Sequence, residues 1–127
     1  MEDMIMLYIE KRREYQTKIS ADLKSIEENV YDICEVGDYF SIKSDEEIIT
    51  IKAIEEDGTK RIAVKTSSMD DFIAFSNLRL TDHPDLILWI IQNGKIIEKG
   101  FNEVLINAVR NGENIINTLK ALNVDYK

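Results

Sequence analysis

The sequence predicts an α+β fold with a long N-terminal helix, a roughly five-stranded antiparallel sheet and a C-terminal helix. Apolar residues recur at helical spacing from Met4 to Cys34, and after Gly37 the period drops to two, which is typical of strands. The chain has 127 residues, of which 44% are hydrophobic, with one proline and five glycines. That size suits one hydrophobic core and not two, so we expect residues 1–127 to form a single domain.

The first predicted element is a long helix over residues 1–36, followed by Gly37. A helix of about 30 residues is about 45 Å long, which exceeds the width of a domain of this size. Part of it must project, break or pack against another chain. Two arrangements fit the pattern: a seam that joins two protomers, or a shorter helix across a sheet with a second short helix before it. The residues expected at an oligomer interface are Ile5, Tyr8, Tyr15 and Ile19.

A three-stranded meander follows the first helix. Residues 40–42, 49–53 and 62–66 each alternate apolar and polar side chains, which places the apolar ones on one side of an extended strand. Polar turn sequences separate the segments, at residues 44–46 and 56–58. We therefore expect a sheet with one buried face.

The second half of the chain predicts a short helix, a hairpin and a final helix. Residues 68–71 combine a serine cap with following acids, which predicts the start of a short helix. Residues 86–91 and 95–99 flank Asn93-Gly94, a strong hairpin signal, so we predict two further strands. A helix capped by Asn102 then completes the chain.

The predicted order is helix, three strands, helix, two strands, helix. Together with the small size and the acidic balance, this order is similar to that of the dimeric bacterial secretion chaperones that bind effector proteins. The resemblance concerns element order over most of the chain. It implies a dimer that binds another protein.

Negative charge is concentrated in one stretch. The net charge is −8, and residues 21–58 carry twelve acids against three lysines. Such a field repels a phosphate backbone and favours a basic protein partner, so we expect no direct binding to nucleic acid. If these acids lie along the exposed side of the first helix and at neighbouring turns, they form one negative surface. The residues expected to contact the partner are Glu27, Glu28, Asp32, Glu35, Glu46, Glu47, Glu55, Glu56 and Asp57.

The residue types that catalysis and zinc binding require are scarce in this sequence. His83 is the only histidine and Cys34 the only cysteine, so neither a nucleophile–base pair nor a four-ligand zinc site is indicated. No glycine-rich phosphate loop is present. We therefore predict no catalytic residues, no metal and no cofactor, and we favour a non-enzymatic role while an enzymatic one stays open. The lone Cys34 suggests a small buried hydrophobe in a reducing cytoplasm, and no apolar run reaches the roughly 20 residues of a membrane span.

Three functions fit these observations. The first is a non-catalytic protein-binding module, such as an adaptor, a chaperone or a small inhibitor, with an acidic face toward a basic partner. The second is a phage-type inhibitor of a host defence protein whose carboxylates imitate nucleic acid. The third is a small ligand-binding or enzymatic domain that uses Asp70, Asp71, Asp82 or Asp85.

Overall fold

Three helices cover one face of a four-stranded antiparallel sheet in the part of the chain that the structure describes. The structure is a computed structural model that describes residues 2–121; within them, the side chains at 2, 3, 5, 7–9 and 113–121 lie outside the description. The α+β class is therefore confirmed. The sheet has four strands, which pair in the order in which they follow one another along the chain, instead of the five expected.

Helix α1 runs unbroken from Glu2 to Tyr31. Its second half packs on the sheet, where Leu23 and Val30 are fully buried and Ile26 lies against the same core. The described side chains before Ile19 are exposed or only partly buried. Of the arrangements expected for this helix, the structure therefore shows a continuous helix whose first half projects beyond the core.

The helix ends short of residue 36, and Gly37 belongs to the turn that leads into the sheet. Gly37 has a φ of 101°, a conformation that glycine adopts without steric cost. Its amide donates to the carbonyl oxygen of Ala53 at 2.8 Å, and the amide of Glu35 donates to Asp38 Oδ2 at 2.9 Å. These bonds fix the loop between α1 and the first strand.

The predicted meander is present. It consists of β1 (Tyr39–Ser44), β2 (Glu47–Glu56) and β3 (Thr59–Thr66), paired antiparallel in sequence order. The second turn is Asp57-Gly58, where φ is 52° and 77°, as a two-residue type I′ hairpin requires.

The core lies between the inner face of the sheet and the three helices. Alternate residues of β2 and β3 point inward, and α2 (Pro84–Gln92) and α3 (Gly94–Ala121) close the layer with α1. The buried cluster consists of Leu23, Val30, Cys34, Ile49, Ile51, Ala53, Ile62, Val64, Phe75, Leu78, Ile87, Ile90, Ile97 and Phe101.

The short helix expected from residues 68–71 is not formed. The chain instead makes a turn, a two-residue strand β4 (Ile73–Ala74) and a 3₁₀ turn at Phe75–Asn77. The hydroxyl of Ser68 donates to Glu47 Oε1 at 2.7 Å, so this serine ties the turn to β2 instead of capping a helix.

The hairpin predicted around Asn93-Gly94 is also wrong, because both flanking segments are helical. A short apolar run such as residues 86–91 is compatible with either a buried strand or a buried helix. Pro84 occupies the first position of α2, where its fixed φ favours a helix. Gly94 opens α3, so this helix begins before Asn102.

Gly94 lies at a close contact between helices and does not form a hairpin turn. Positive φ occurs only at Gly37 and Gly58 among the glycines of the described chain. A Cβ at Gly94 would lie 3.2 Å from Ile26 Cγ1, so α1 passes directly over this position. With two helices in place of two strands, the element order that suggested secretion chaperones is not the order of this fold.

Candidate functional site

The acids expected to form one negative surface lie at the two ends of the sheet. Glu46 and Glu47 are at the β1–β2 turn, whereas Glu55, Glu56 and Asp57 are at the β2–β3 turn. Strand β2 connects the two groups with ten residues, which at about 3.3 Å per residue places them about 30 Å apart. An antiparallel meander therefore separates charges that are neighbours in the sequence.

The loop after α1 joins the β2–β3 end. Lys60 Nζ donates to the carbonyl oxygen of Cys34 at 2.6 Å and lies 4.4 Å from the centroid of the Tyr31 ring. Asp32 and Glu35, both exposed, are therefore beside the Glu55–Asp57 turn, and Glu28 is exposed one helical turn before Asp32.

Glu27 is the exception among the expected partner-contacting acids. We expected it on the exposed side of α1, but its exposed fraction is only 7%. Its Oε2 accepts a hydrogen bond from the amide of Ile62 at 2.9 Å, and its Oε1 lies 3.3 Å from Arg61 Nη2. Strand β4 is too short to pair with Ile62, so the Glu27 carboxylate satisfies that open amide.

A cleft of about 720 Å³ opens at the β1–β2 end, and we call it the acidic cleft. One wall is the β1–β2 turn, the other is the first part of α2, and Trp89 and Leu86 supply apolar surface. A smaller depression of about 360 Å³ shares four lining residues with it, Glu47, Thr66, Asp85 and Leu86, and is also lined by Asp82 and His83. The residues that line the acidic cleft are Ser44, Asp45, Glu46, Glu47, Ile49, Thr66, Asp85, Leu86 and Trp89.

The carboxylates of the acidic cleft fall into two kinds. Glu47 accepts from the Ser68 hydroxyl, which itself lies 3.0 Å from Thr66 Oγ1, so its position is fixed by protein contacts. Within the described chain, the carboxylates of Asp45, Glu46 and Asp85 make no hydrogen bond or ion pair. These three carboxylates are free to accept hydrogen bonds from a cationic side chain.

The four aspartates considered for an enzymatic site are not brought together. Asp82 lines the smaller depression and Asp85 lines both, but Asp70 and Asp71 are exposed in the bend before β4 and line neither. Across the residues with described side chains, no three His, Cys, Asp or Glu groups are placed to hold a metal ion.

The residues expected at an oligomer interface have different environments. Ile19 packs against the core and Tyr15 is 60% exposed. The side chains of Ile5 and Tyr8 lie outside the described residues.

The outer face of the sheet is basic, in contrast to both ends. Lys43, Lys52 and Lys65 point to this side, and the last two place their ammonium groups 5.5 and 5.9 Å from the centroid of the Phe72 ring. The exposed acids between residues 28 and 57 thus lie at two ends of the sheet, with lysines on the outer face between them.

Comparisons of this chain with protein-family models, with curated proteins and with solved structures gave no match. None of the described helices is both long and apolar enough to cross a lipid bilayer.

Trp89 and Asp85 were not recognised from the sequence as parts of one site with the β1–β2 turn. The predicted strand over residues 86–91 has Trp89 in its middle, where core packing is expected; the indole does pack against the core, and it also lines the acidic cleft. The available signal was Pro84, which marks the helix that brings Asp85 and Trp89 to the cleft.

Proposed function

We propose that this chain is a non-catalytic protein-binding module that holds a basic side chain of a partner protein in the acidic cleft. The observation that carries the proposal is the set of three unpartnered carboxylates, Asp45, Glu46 and Asp85, beside the indole of Trp89. Carboxylates and an aromatic face are the two groups that bind a cationic side chain best.

Arginine is the side chain that this arrangement favours. A guanidinium donates to a carboxylate through two parallel hydrogen bonds and stacks on an aromatic face with its planar group. A cation over an indole contributes about 0.5–2 kcal/mol, depending on how far it is desolvated. Lysine provides the same charge with a single compact ammonium, so we expect weaker binding of lysine.

The size of the acidic cleft sets the kind of partner. About 720 Å³ is in the range of small-ligand sites, which is enough for a few side chains and not for a globular surface. The partner therefore contributes a basic loop or tail. An adaptor, a chaperone and a small inhibitor all satisfy this requirement.

The arrangement of charge favours this function over imitation of nucleic acid. A protein that imitates a phosphate backbone needs regularly spaced negative charge along one surface. Here the acids lie about 30 Å apart at the two ends of β2, and Lys43, Lys52 and Lys65 lie on the outer face between them. A small ligand-binding or enzymatic domain remains an alternative through Asp82 and Asp85 only.

The proposal also includes a cytoplasmic location, no direct contact with nucleic acid and self-association. The first half of α1, with the exposed Tyr15 and the sequence positions of Ile5 and Tyr8, is one candidate contact between copies. The acids at the β2–β3 end serve as a second negative surface for a long partner, or for solubility.

The fluorescence of Trp89 tests the proposal, because it is the only tryptophan in the chain and it lines the acidic cleft. The full chain is titrated with a short arginine-rich peptide and with its glutamate counterpart. We expect a saturable change in emission with the arginine peptide alone, which weakens as salt screens the charges.

Two double variants separate the acidic cleft from net charge. Asp45→Asn with Glu46→Gln removes two charges at the β1–β2 turn, and Asp57→Asn with Glu55→Gln removes two at the β2–β3 turn. Asp45 and Asp57 have nearly equal φ values, 53° and 52°, so replacing either aspartate by asparagine places the new residue in the same left-handed conformation. We expect about tenfold weaker binding for the first variant, equivalent to about 1.4 kcal/mol, and little change for the second. Equal weakening in both would mean that only total charge matters.

A further inference from the structure

Strand β1 is an edge of the sheet. The hydrogen bonds between β1 and β2 show which backbone amides and carbonyls of β1 have no strand partner. Ala53 bonds through its amide to Asp38 and through its carbonyl to Gly37, so the backbone of Ala53 faces β1. Because hydrogen-bonding direction alternates along a strand, Ile51 and Ile49 also face β1.

The strand partners of these residues follow from the register. Phe40 is opposite Ile51 and Ile42 is opposite Ile49, so both bond to β2. The amides and carbonyls of Tyr39, Ser41 and Lys43 therefore point away from the sheet. In the described chain no other strand lies on that side of β1.

We propose that β1 pairs antiparallel with β1 of a second copy of this chain, with Ser41 opposite Ser41. This register uses all three outward residues and gives six hydrogen bonds between the strands. Edge strands with unpaired backbone groups are ready templates for such pairing. The result is one continuous sheet that runs through both copies.

The side chains of β1 are complementary to themselves in this register. On the outer face, Tyr39 lies opposite Lys43 of the second copy, and the symmetry repeats that pair, so each lysine meets an aromatic ring. On the inner face, Phe40 lies opposite Ile42 of the second copy. A pairing centred on Lys43 would instead oppose two like charges, which is unfavourable.

A groove beside β1 has room for side chains of an incoming strand. A groove of about 380 Å³ lies between β1 and α3, with Ile96 and Val104 of α3 on one side and Ile42 on the other. Ile96 lines this open groove and is 48% exposed. Lys99, Glu103 and Asn107 also line the groove, so the inward side chains of the incoming β1, Phe40 and Ile42, would cover only its apolar part.

Charge gives the interface a salt dependence opposite to that of the acidic cleft. Each copy carries a net charge of −8, and the only charged residue of β1 is Lys43. Salt screens the long-range repulsion between two acidic copies, so we expect self-association to strengthen with ionic strength. Binding of a basic peptide weakens under the same conditions, so the two proposals can fail independently.

Ser41→Pro tests the pairing most directly, because it removes a backbone amide that points out of the sheet. Ser41→Pro deletes the central intermolecular hydrogen bonds and is tolerated on an edge strand. Ser41→Ala is the matched control, since it also loses the hydroxyl contact with Thr50 Oγ1 at 2.8 Å but keeps the amide. The full chain and both variants are compared by sedimentation at about 100 µM, with circular dichroism as the check on folding.

We expect the wild type and Ser41→Ala to have twice the chain mass of 14.7 kDa, and folded Ser41→Pro to have the mass of one chain. A monomeric wild type at that concentration overturns the proposal. So does a folded Ser41→Pro that remains fully dimeric, which would indicate a contact such as the first half of α1 instead.

If Ser41→Pro does not fold, disulfide cross-linking tests whether the two β1 strands pair in the proposed register. Opposed Ser41 positions would have Cα atoms about 5.5 Å apart, within the range of a disulfide, so Ser41→Cys should give an oxidised dimer. Tyr39→Cys is the control for register, because its two copies would be separated by about 13 Å along the strands. The wild type reports any background from the buried Cys34. Cross-linking of Tyr39→Cys as readily as Ser41→Cys would overturn the register.

Discussion

The carboxylate of Glu27 on α1 accepts a hydrogen bond from the backbone amide of Ile62 on β3 at 2.9 Å. This contact joins the first helix to the edge of β3. The short strand β4 does not reach Ile62, so within the described chain that residue has no strand partner on this side. Arg61 Nη2 lies 3.3 Å from the other carboxylate oxygen, which compensates the charge of the buried group. An acid that the sequence suggests for a partner surface therefore holds two layers of the fold together.

Replacing Glu27 by alanine should destabilise the fold. The substitution leaves the Ile62 amide without an acceptor, which costs about 1–3 kcal/mol of unfolding free energy. Urea denaturation followed by circular dichroism measures the loss. Glu27→Gln keeps an acceptor oxygen and should lose less, and Glu28→Ala, at an exposed position, should change stability by no more than about 0.5 kcal/mol. Equal effects at positions 27 and 28 would contradict the assigned contact.

Gly100 and Gly112 should respond oppositely to alanine, although both lie in α3. A Cβ at Gly100 would collide with the Phe40 ring, whereas nothing lies within 4 Å of a Cβ at Gly112. Gly100→Ala should therefore destabilise the fold, because an overpacking cost of about 1–3 kcal/mol outweighs the gain of about 0.5–1 kcal/mol from alanine in a helix. Gly112→Ala should stabilise it by about 0.5–1 kcal/mol, because alanine restricts the unfolded chain and favours a helix. Thermal denaturation of the two variants tests the packing of α3 on β1, and a stabilised Gly100→Ala would contradict it.

Cys34 should react slowly with thiol reagents in the folded protein. Burial raises the pKa of the Cys34 thiol, and the nearby Lys60 only partly opposes this effect. Less thiolate is then present near pH 8 than in the unfolded chain, and the side chain is only 2% exposed. Reaction with a chromogenic disulfide, with and without denaturant, measures the difference; equal rates would show that the thiol is accessible.

The same pKa shift has a consequence for stability. Because the folded pKa lies above that of the unfolded thiol, ordinarily about 8.5, the stabilising contribution is fully present below that value. It is lost as the pH rises through the folded pKa. Cys34→Ala should therefore remove part of the fall in unfolding free energy on the alkaline side. The variant should show the same alkaline slope as the wild type only if the thiol is not buried.

The first half of the fold follows from the sequence because its signals are local. The alternation of apolar residues at 49–53 and 62–66 and the Asp57-Gly58 turn determine the meander and its buried face. The second half does not, because the run at 86–91 is apolar on all sides and contains no period to distinguish helix from strand. Asn93-Gly94 predicts a hairpin, whereas the glycine lies at the start of α3 in close contact with Ile26.

The candidate site was predictable only in part, for a topological reason. Glu46 and Glu47 stood out by charge, but their neighbours Asp85 and Trp89 are distant in sequence and reach the acidic cleft only through α2. The burial of Glu27 had a visible signal, since it occupies the same helical stripe as Leu23 and Val30. The prediction of an exposed Glu27 rests on its charge and not on this helical spacing.

The central claim is that the acidic cleft, and not the total negative charge, binds a basic segment. Amide and indole NMR shifts of the isotope-labelled full chain, titrated with the arginine-rich peptide, test it most directly. We predict that the largest shifts occur at residues 44–47, at 85–89 and at the indole N–H of Trp89, with little change at residues 55–57. Shifts that are largest at residues 55–57, or spread evenly over both acidic ends, would contradict the account.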